Sequence, residues 1–455
     1  MKWPLRANWL FSSTFRQFLI VYSFLSTILI IYLFINSEIP KSTTPPSSSL
    51  DGRSPASPIL DAVSLKTCRS AMNENSKAIA QLKNVTIDEK AILAEIEKST
   101  DRCALYKEIL PFRKSKPTQE ELDFPLAYGI LAHDRILQFL LSFAAFYEPH
   151  NAYCLAVPSS SSLEFTRFSY GLADCFPNLH IIKINRVWWG SYEILKGVHH
   201  CMTYLEGLDH NWKYYQYLSG VDGPLRTNGE LVAMFKHWKT LSHVYVSKYD
   251  SYRLMRKNLT PPVPLWKTSL SAILSRETVH DMVVYPTVTE LFRFLSRTFI
   301  SDEAFWVSAL GNPDVLPIHG SFNATSFREA SQRRRRESRK WWAHPKCEHP
   351  PCLRTGFVGR YQVWYVTHRC KGKITHGSCV FGVGDLPKLS QSAAVLAHKL
   401  YLDFEPAALL CLIKDHAERR MHPDRLFNAD QYGHLPQIEH ARGFTYEELT
   451  RKDLL

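Results

Sequence analysis

From about residue 121 the chain alternates short apolar runs with longer stretches of helical periodicity. "LAYGILA" (126–132) reads as a buried strand, and "HDRILQFLLSFAAFY" after it as a helix. "AYCLAV" and "LHIIKI" read as strands with a helix-like segment between them. "GSYEILKGVHHCMTYLEGL" has the spacing of a helix, and "WKYYQYLS" that of a strand. Apolar strands alternating with helices predict an α/β fold, a mostly parallel sheet with helices on both faces. Ligands on such sheets sit at the carboxyl ends of the strands. Two glycine-bearing turns fall at such ends, "SGVDGPLRTN" (219–228) and "CVFGVGDL" (379–386). A lone G-x-G beside an acid is weak evidence for phosphate; a strand ending in a tight turn is the favoured reading. No repeat of fixed period is visible.

The pattern upstream is different. "FLIVYSFLSTILIIYLFI" (18–35) carries no charge, and at about 1.5 Å per residue it nearly spans a bilayer core. Lys2, Arg6 and Arg16 precede it, and Glu38 and Lys41 follow. The positive side stays in the cytoplasm, so the bulk of the chain is expected to face the lumen. A cleaved signal peptide is disfavoured: the run is long for an h-region and no small-x-small site follows. The expected order is a cytoplasmic tail (1–17), a transmembrane signal anchor (18–35), a Ser/Pro-rich stem (36–60), a helical stem-proximal region (61–120), the main domain (121–425) and a C-terminal tail (426–455).

Composition narrows the class. The 455 residues suffice for a sizeable core. Part of the net charge of +12 is local, in "RRRRESRK" (333–340). That run reads as a solvated loop, with an acidic partner or a basic-site protease as alternatives. No aromatic-interleaved basic stripe accompanies it, which argues against nucleic acid. The ten cysteines all lie beyond the apolar run; an even number in an oxidising compartment points to disulfides. No paired C-x-x-C supports zinc. Three glycosylation sequons begin at Asn84, Asn258 and Asn323. Anchor, stem and lumenal α/β domain are the layout of a Golgi sugar-modifying enzyme. A sulfotransferase would need a phosphate-cradling loop after the first strand, and "HDRIL" offers no glycine there.

The stretches "FPLAYGILAHDR", "FYEPHNAYCLAV", "HHCMTYLEGLDHNWKYYQYLSGVDGPLRTN", "ISDEAFW", "CVFGVGDL" and "LAHK", in that order and spacing, resemble the core-2/I-branching β-1,6-N-acetylglucosaminyltransferases, to which protein xylosyltransferases are related. The likeness runs from about residue 122 to 415. It implies a glycosyltransferase-A type nucleotide-sugar-binding sheet. It also implies the disulfides Cys68–Cys411, Cys103–Cys175, Cys154–Cys201 and Cys370–Cys379, which leaves Cys347 and Cys352 of "CEHPPC" as a local pair. Where the family has a free cysteine this chain has Ser219.

By the same resemblance Glu303 matches the catalytic base. A sugar hydroxyl is a poor nucleophile, and a carboxylate within hydrogen-bond reach removes its proton as it attacks. The residues alone would read Glu303 as an exposed acid early in a helix capped by Ser301, with Asp302 structural. The departing nucleoside diphosphate needs positive charge. The sequence has no D-x-D, and the family works without metal, so no cofactor is expected, and the implied donor is UDP-GlcNAc. Lys399 matches one basic contact to the diphosphate; the other, an arginine in the family, is His376 here, a side chain that changes charge near neutrality. The "GVGDL" turn falls between them. Asp222 and Arg226 match the turn facing the active site. Trp188 and Trp189 lie where the family has an aromatic near the nucleotide, and Trp364 and Tyr365 look like its acceptor-binding pair. The family's uracil-holding aspartate is replaced by Pro158, followed by Ser159 to Ser162. The expectation is an inverting, metal-free β-1,6-N-acetylglucosaminyltransferase of O-glycans, a single-pass type II protein of the Golgi membrane. The alternatives are another UDP-sugar donor, glucose or xylose, and an inactive lumenal glycan-binding protein. The oligomeric state stays open, a homodimer included.

Overall fold

The computed structural model describes residues 57–256, 258–337, 350–367, 369–422 and 427–455. The segments read as tail and anchor, and nearly all of the stem, lie outside these residues, as does Cys347. Among the described residues no helix is long and apolar enough to cross a membrane.

In chain order the strands are β1 (Leu126–Leu131), β2 (Ala152–Pro158), β3 (Leu179–Ile184), β4 (Tyr214–Ser219), β5 (Asp222–Pro224), β6 (Ser247–Lys248), β7 (Trp266–Lys267), β8 (Ile273–Ser275), β9 (Lys373–Thr375), β10 (Ser378–Val380) and β11 (Leu396–His398). Five form the central sheet in the order β3-β2-β1-β4-β8. Neighbours among β1 to β4 run parallel, and β8 is antiparallel to β4. The chain thus steps outward from β1 through β2 to β3, then returns to lay β4 on the other side of β1. That reversal opens a crevice at the carboxyl ends of β1 and β4, where α/β sheets of this kind take their ligands.

Side chains alternate across the sheet with the period of two that strands impose. Tyr128 and Ile130, Tyr153 and Leu155, and Tyr214 and Leu218 face one core. Helices Ile136–Phe146, Leu163–Ala173 and Ala407–Met421 pack there. Every residue of Ile136–Phe146 is buried, as befits a helix apolar all round. Ala127, Ala152, Cys154, Ala156 and Tyr215 face the other core. Their small side chains admit helix Tyr192–Glu206, tied to β2 by Cys154–Cys201. Gly129 belongs to this face: a Cβ there would meet the Tyr215 hydroxyl at 2.1 Å.

Two boundaries differ from the sequence reading, and the helical region 61–120 is tied to the main domain. Pro58–Ala62 is a 3-10 turn with Ile59 and Leu60 buried, so the end of the expected stem belongs to the body. Residues 61–120 have no core of their own: Cys68, Ile96 and Tyr106 share one cluster with the sheet. The expected tail beyond 425 is folded too. Tyr432, Leu435 and Ile438 are fully buried, and the Trp238 indole donates to the Tyr432 carbonyl at 2.9 Å. Nor are the arginines from 333 to 336 a loop. They end helix Ala324–Glu337, where positive side chains suit the helix dipole, and Arg333 pairs with Glu337 and Glu447.

The disulfides Cys68–Cys411, Cys103–Cys175, Cys154–Cys201 and Cys370–Cys379 are present. Cys352 is also disulfide-bonded. The sequon residues Asn84, Asn258 and Asn323 are exposed. Asn323 caps helix Ala324–Glu337 by accepting from the Ser326 amide through Oδ1.

Candidate active site

The crevice is built from both of its edges. The loops after β1 and β4 are stitched together by the Gly220 amide on the Leu131 carbonyl. A Cβ at Gly220 would lie 2.8 Å from that of Ala132, so glycine sets this close approach. After the turn the chain forms β5, which pairs with β11 so that Asp222 faces His398.

Asp222 is fully buried. One carboxylate oxygen accepts from the Ser219 amide at 2.7 Å, the other from His398 Nδ1 at 2.8 Å, and Arg360 stands 3.7 Å away. Burial pushes this carboxyl up, but Arg360, His398 and the Ser219 amide outweigh it and hold the group below its ordinary value. Burial and the Arg360 charge push His398 the other way, down to about 4, so the imidazole is neutral.

Lys399 follows directly. It is buried apart from its tip and donates to the Thr375 carbonyl at 2.8 Å. Burial, then Arg135, lowers its pKa. Arg135, in the loop after β1, stacks 3.8 Å from the centre of the Tyr401 ring, which Lys399 approaches at 5.7 Å. His376 sits at the tip of the β9–β10 hairpin. His376 and Gly377 both have positive φ, 50° and 76°, as a two-residue turn matching the strand twist requires. The Thr375 carbonyl therefore brings Lys399 beside the His376 turn. Trp364 and Tyr365 lean on the same turn, within about 4 Å of a Cβ placed at Gly377, and both are exposed.

The "GVGD" turn itself is occupied from within. The Gly382 amide donates to Asp385, and the Val383 amide to Glu405 at 2.7 Å. A Cβ at Gly382 would lie 2.4 Å from the Glu405 carboxylate. Gly382 makes room for a protein carboxylate, and these two amides are not offered to phosphate.

Glu303 ends a 3-10 turn, Ser301–Glu303, ahead of helix Phe305–Leu310. Ser301 caps nothing: its hydroxyl is buried without a partner, which corrects the capped-helix reading. Glu303 Oε2 accepts from Arg253 at 2.9 Å and lies 3.9 Å from Lys267. Both cations also face Asp250 at 3.5 Å. Oε1 accepts no hydrogen bond among the described residues. Asp302 is more than structural filler. Its Oδ1 is buried and unpartnered; burial and the Glu303 charge push its carboxyl up to about 7, against Arg253 and Arg360.

Two assigned residues stand elsewhere. The Arg226 guanidinium is spent inside the protein, on the Tyr432 hydroxyl and the Leu225 and Ser392 carbonyls. It pins the C-terminal segment and has nothing to offer a ligand at the crevice. Trp189, 70% exposed, packs edge-on against Phe299 at 5.5 Å, beside the Glu303 turn. Sequence reasoning missed Arg135, Arg253, Lys267, Arg360 and His398. Two of them carried a signal: His398 stands beside Lys399, and Arg135 ends "FPLAYGILAHDR".

Among the described residues the one grouping of three potential metal ligands is Cys370, Cys379 and Asp385, and its cysteines are disulfide-bonded.

Cations gathered at the crevice of a parallel sheet, with a carboxylate nearby that keeps one oxygen open, suit a group-transfer enzyme that takes an anionic donor. Comparison with known proteins points the same way: residues 126–347 match the Core-2/I-branching enzyme model, so this part of the chain is similar to that family of glycosyltransferases. A β-1,3-galactosyl-O-glycosyl-glycoprotein β-1,6-N-acetylglucosaminyltransferase 3 of Mus musculus is 25% identical over 380 residues, 78% of this chain and 83% of that one. An N-acetyllactosaminide β-1,6-N-acetylglucosaminyl-transferase of Mus musculus is 28% identical over 322 residues, 65% and 73% of the two chains. A β-1,3-galactosyl-O-glycosyl-glycoprotein β-1,6-N-acetylglucosaminyltransferase of Homo sapiens is 24% identical, covering 65% and 70%.

Proposed function

We propose that the protein is an inverting transferase that moves N-acetylglucosamine from UDP-GlcNAc to a 6-hydroxyl of an O-glycan, on a glycosyltransferase-A type sheet. It works in the Golgi lumen as a type II membrane protein. The observation that carries the reading is the arrangement of Glu303: Oε2 held by Arg253, Oε1 free. In this reading Oε1 takes the proton from the acceptor hydroxyl as it attacks the anomeric carbon, and the bond to UDP breaks on the opposite face. Lys399, with His376 and Arg135 around it, takes up the charge growing on the diphosphate. Side-chain cations do the work that a D-x-D metal does elsewhere, so transfer proceeds without a divalent ion. Trp189 beside the Glu303 turn, and Trp364 and Tyr365 on the His376 turn, offer exposed faces on which a sugar stacks.

One observation keeps a second donor in view. From Pro158 to Ser162 the chain brings no carboxylate to the nucleotide side; this departure from the family pattern keeps UDP-glucose and UDP-xylose as the second reading. The test is to incubate the purified protein with each of the three UDP-sugars and a Gal-GalNAc acceptor, with chelator present. Transfer of N-acetylglucosamine alone is the expected result. Transfer of another sugar would change the donor, abolition by chelator would remove the metal-free mechanism, and binding of glycan without transfer from any donor would leave a lectin.

A further inference from the structure

We infer that His398 presents Nε2 as a fixed hydrogen-bond acceptor to a hydroxyl or amide N–H on the sugar of the nucleotide-sugar donor, and that Asp222 sets this role by fixing the imidazole tautomer. The inference deepens the donor assignment above and rests on it.

Place comes first. His398 ends β11 opposite Asp222, its Nδ1 lies 3.4 Å from Ser219 Oγ at the carboxyl end of β4, and Lys399 is the next residue. It therefore stands at the β1/β4 crevice, one residue from the cation assigned to the diphosphate. The transferred sugar is one of the two parts of the donor joined directly to that diphosphate, the ribose being the other, so it lies within reach of the neighbouring side chain, and comparing UDP with UDP-GlcNAc separates the two.

Chemistry comes second. An ionised carboxylate only accepts. Asp222 is buried, takes the Ser219 amide on Oδ2 and faces Arg360, so it is kept as the anion. The Nδ1–Oδ1 contact of 2.8 Å then requires the proton on Nδ1. In a neutral imidazole the other nitrogen is an acceptor. Nε2 makes no hydrogen bond among the described residues, and it is absent from their buried, unsatisfied atoms. Apart from Asp222, the charged groups that act on the imidazole are cations, Arg360 and Lys399; the Ser219 hydroxyl lies on the Nδ1 side. An acceptor held among donors reads a group that carries hydrogen, which the hydroxyls and the acetamido N–H of a sugar do and a diphosphate does not.

The test compares UDP with UDP-GlcNAc on the full chain by calorimetry, for wild type, His398→Leu, His398→Gln and Asp222→Asn. UDP affinity reports on folding and on the nucleotide site, and is expected to stay within about twofold. UDP-GlcNAc affinity is expected to fall roughly tenfold in His398→Leu, the scale of one hydrogen bond. His398→Gln, whose amide oxygen still accepts, should recover part of it. Asp222→Asn offers Nδ1 an N–H, which moves the imidazole proton to Nε2 and turns acceptor into donor; its loss should match that of His398→Leu. If UDP and UDP-GlcNAc weaken together, His398 serves the nucleotide or the fold, and the inference falls. If UDP-GlcNAc binding is unchanged in His398→Leu, there is no contact. If wild type binds UDP but none of the UDP-sugars more tightly than UDP's own contacts allow, the donor reading fails instead, and the two failures are distinct.

Discussion

A carboxylate that takes a proton needs one oxygen anchored and one free, and Glu303 has both through its bond to Arg253. Glu303→Gln keeps the shape and removes the basic lone pair. Turnover is expected to fall on the order of a hundred- to ten-thousand-fold, with UDP affinity unchanged in calorimetry; near-normal turnover would move the base elsewhere. Lys399→Ala is expected to act the other way, weakening UDP by about tenfold or more, and His376→Ala by less, since the His376 ring is exposed. Asp302 gives a stability prediction. Its carboxyl is pushed up to about 7 by burial and by Glu303, above the unfolded value of about 3.9. The folded state then binds more protons through that window, so this group lowers stability as pH rises from about 4 to 7. Asp302→Asn should therefore raise the melting temperature at pH 7 and leave it nearly unchanged at pH 4; an equal shift at both would assign the effect to something other than ionisation. Much of this site was hidden from the sequence. Glu303, Lys399 and Asp222 stand in quotable motifs, whereas Arg360 and Arg253 reach the crevice from segments with no pattern of their own.

Elements were legible where one periodicity ruled them. Strands β1 and β2 are apolar on both faces, β3 and β4 are broken only by His180, Lys183 and Gln216, and their helices stand out between them. The β5–β11 ribbon was not legible: each strand has three residues, and its pairing joins positions more than 170 apart. Local propensity says nothing about such a partner. The short helix Gln119–Leu122 shows how elements are locked together. Its capping box joins Thr118 and Glu121, and the Glu121 carboxylate also accepts from Arg113 at 2.8 Å and from Asn228 at 3.0 Å. Burial raises this carboxyl, but these donors prevail and hold it at about 2. Glu148, which shares Arg113, goes the other way, up to about 7, because burial dominates. Arg113→Met leaves Glu121 buried without its cation, at an expected cost of about 3–5 kcal/mol at neutral pH. A depressed carboxyl stabilises above its unfolded value and loses that contribution as pH falls toward 2. The penalty in urea denaturation should therefore shrink below about pH 4; a constant penalty would mean that Arg113 acts by packing alone.

For the molecule as a whole, the decisive feature is how far its ends travel to close one core. Cys68–Cys411 spans 343 residues and joins helix Leu65–Met72 to helix Ala407–Met421. Replacing both cysteines with alanine is expected to cost about 3–5 kcal/mol, read as a lower denaturation midpoint with UDP affinity retained in native buffer. Loss of UDP binding at full folding would give the link a direct role at the crevice. The α/β class was legible because apolar runs announce themselves, and the disulfide pairing only through the family resemblance. The C-terminal segment was misread as a tail because its apolar residues are few and widely spaced; Tyr432, Leu435 and Ile438 become core only against Trp238 and the Arg226 turn. That wrapping has a genetic consequence. A premature stop codon near position 426 would spare every residue assigned to chemistry here, yet it would strip Tyr432 from Arg226 and open the floor beneath the β5 turn. Such an allele should behave as a null because the shortened chain fails to close its core.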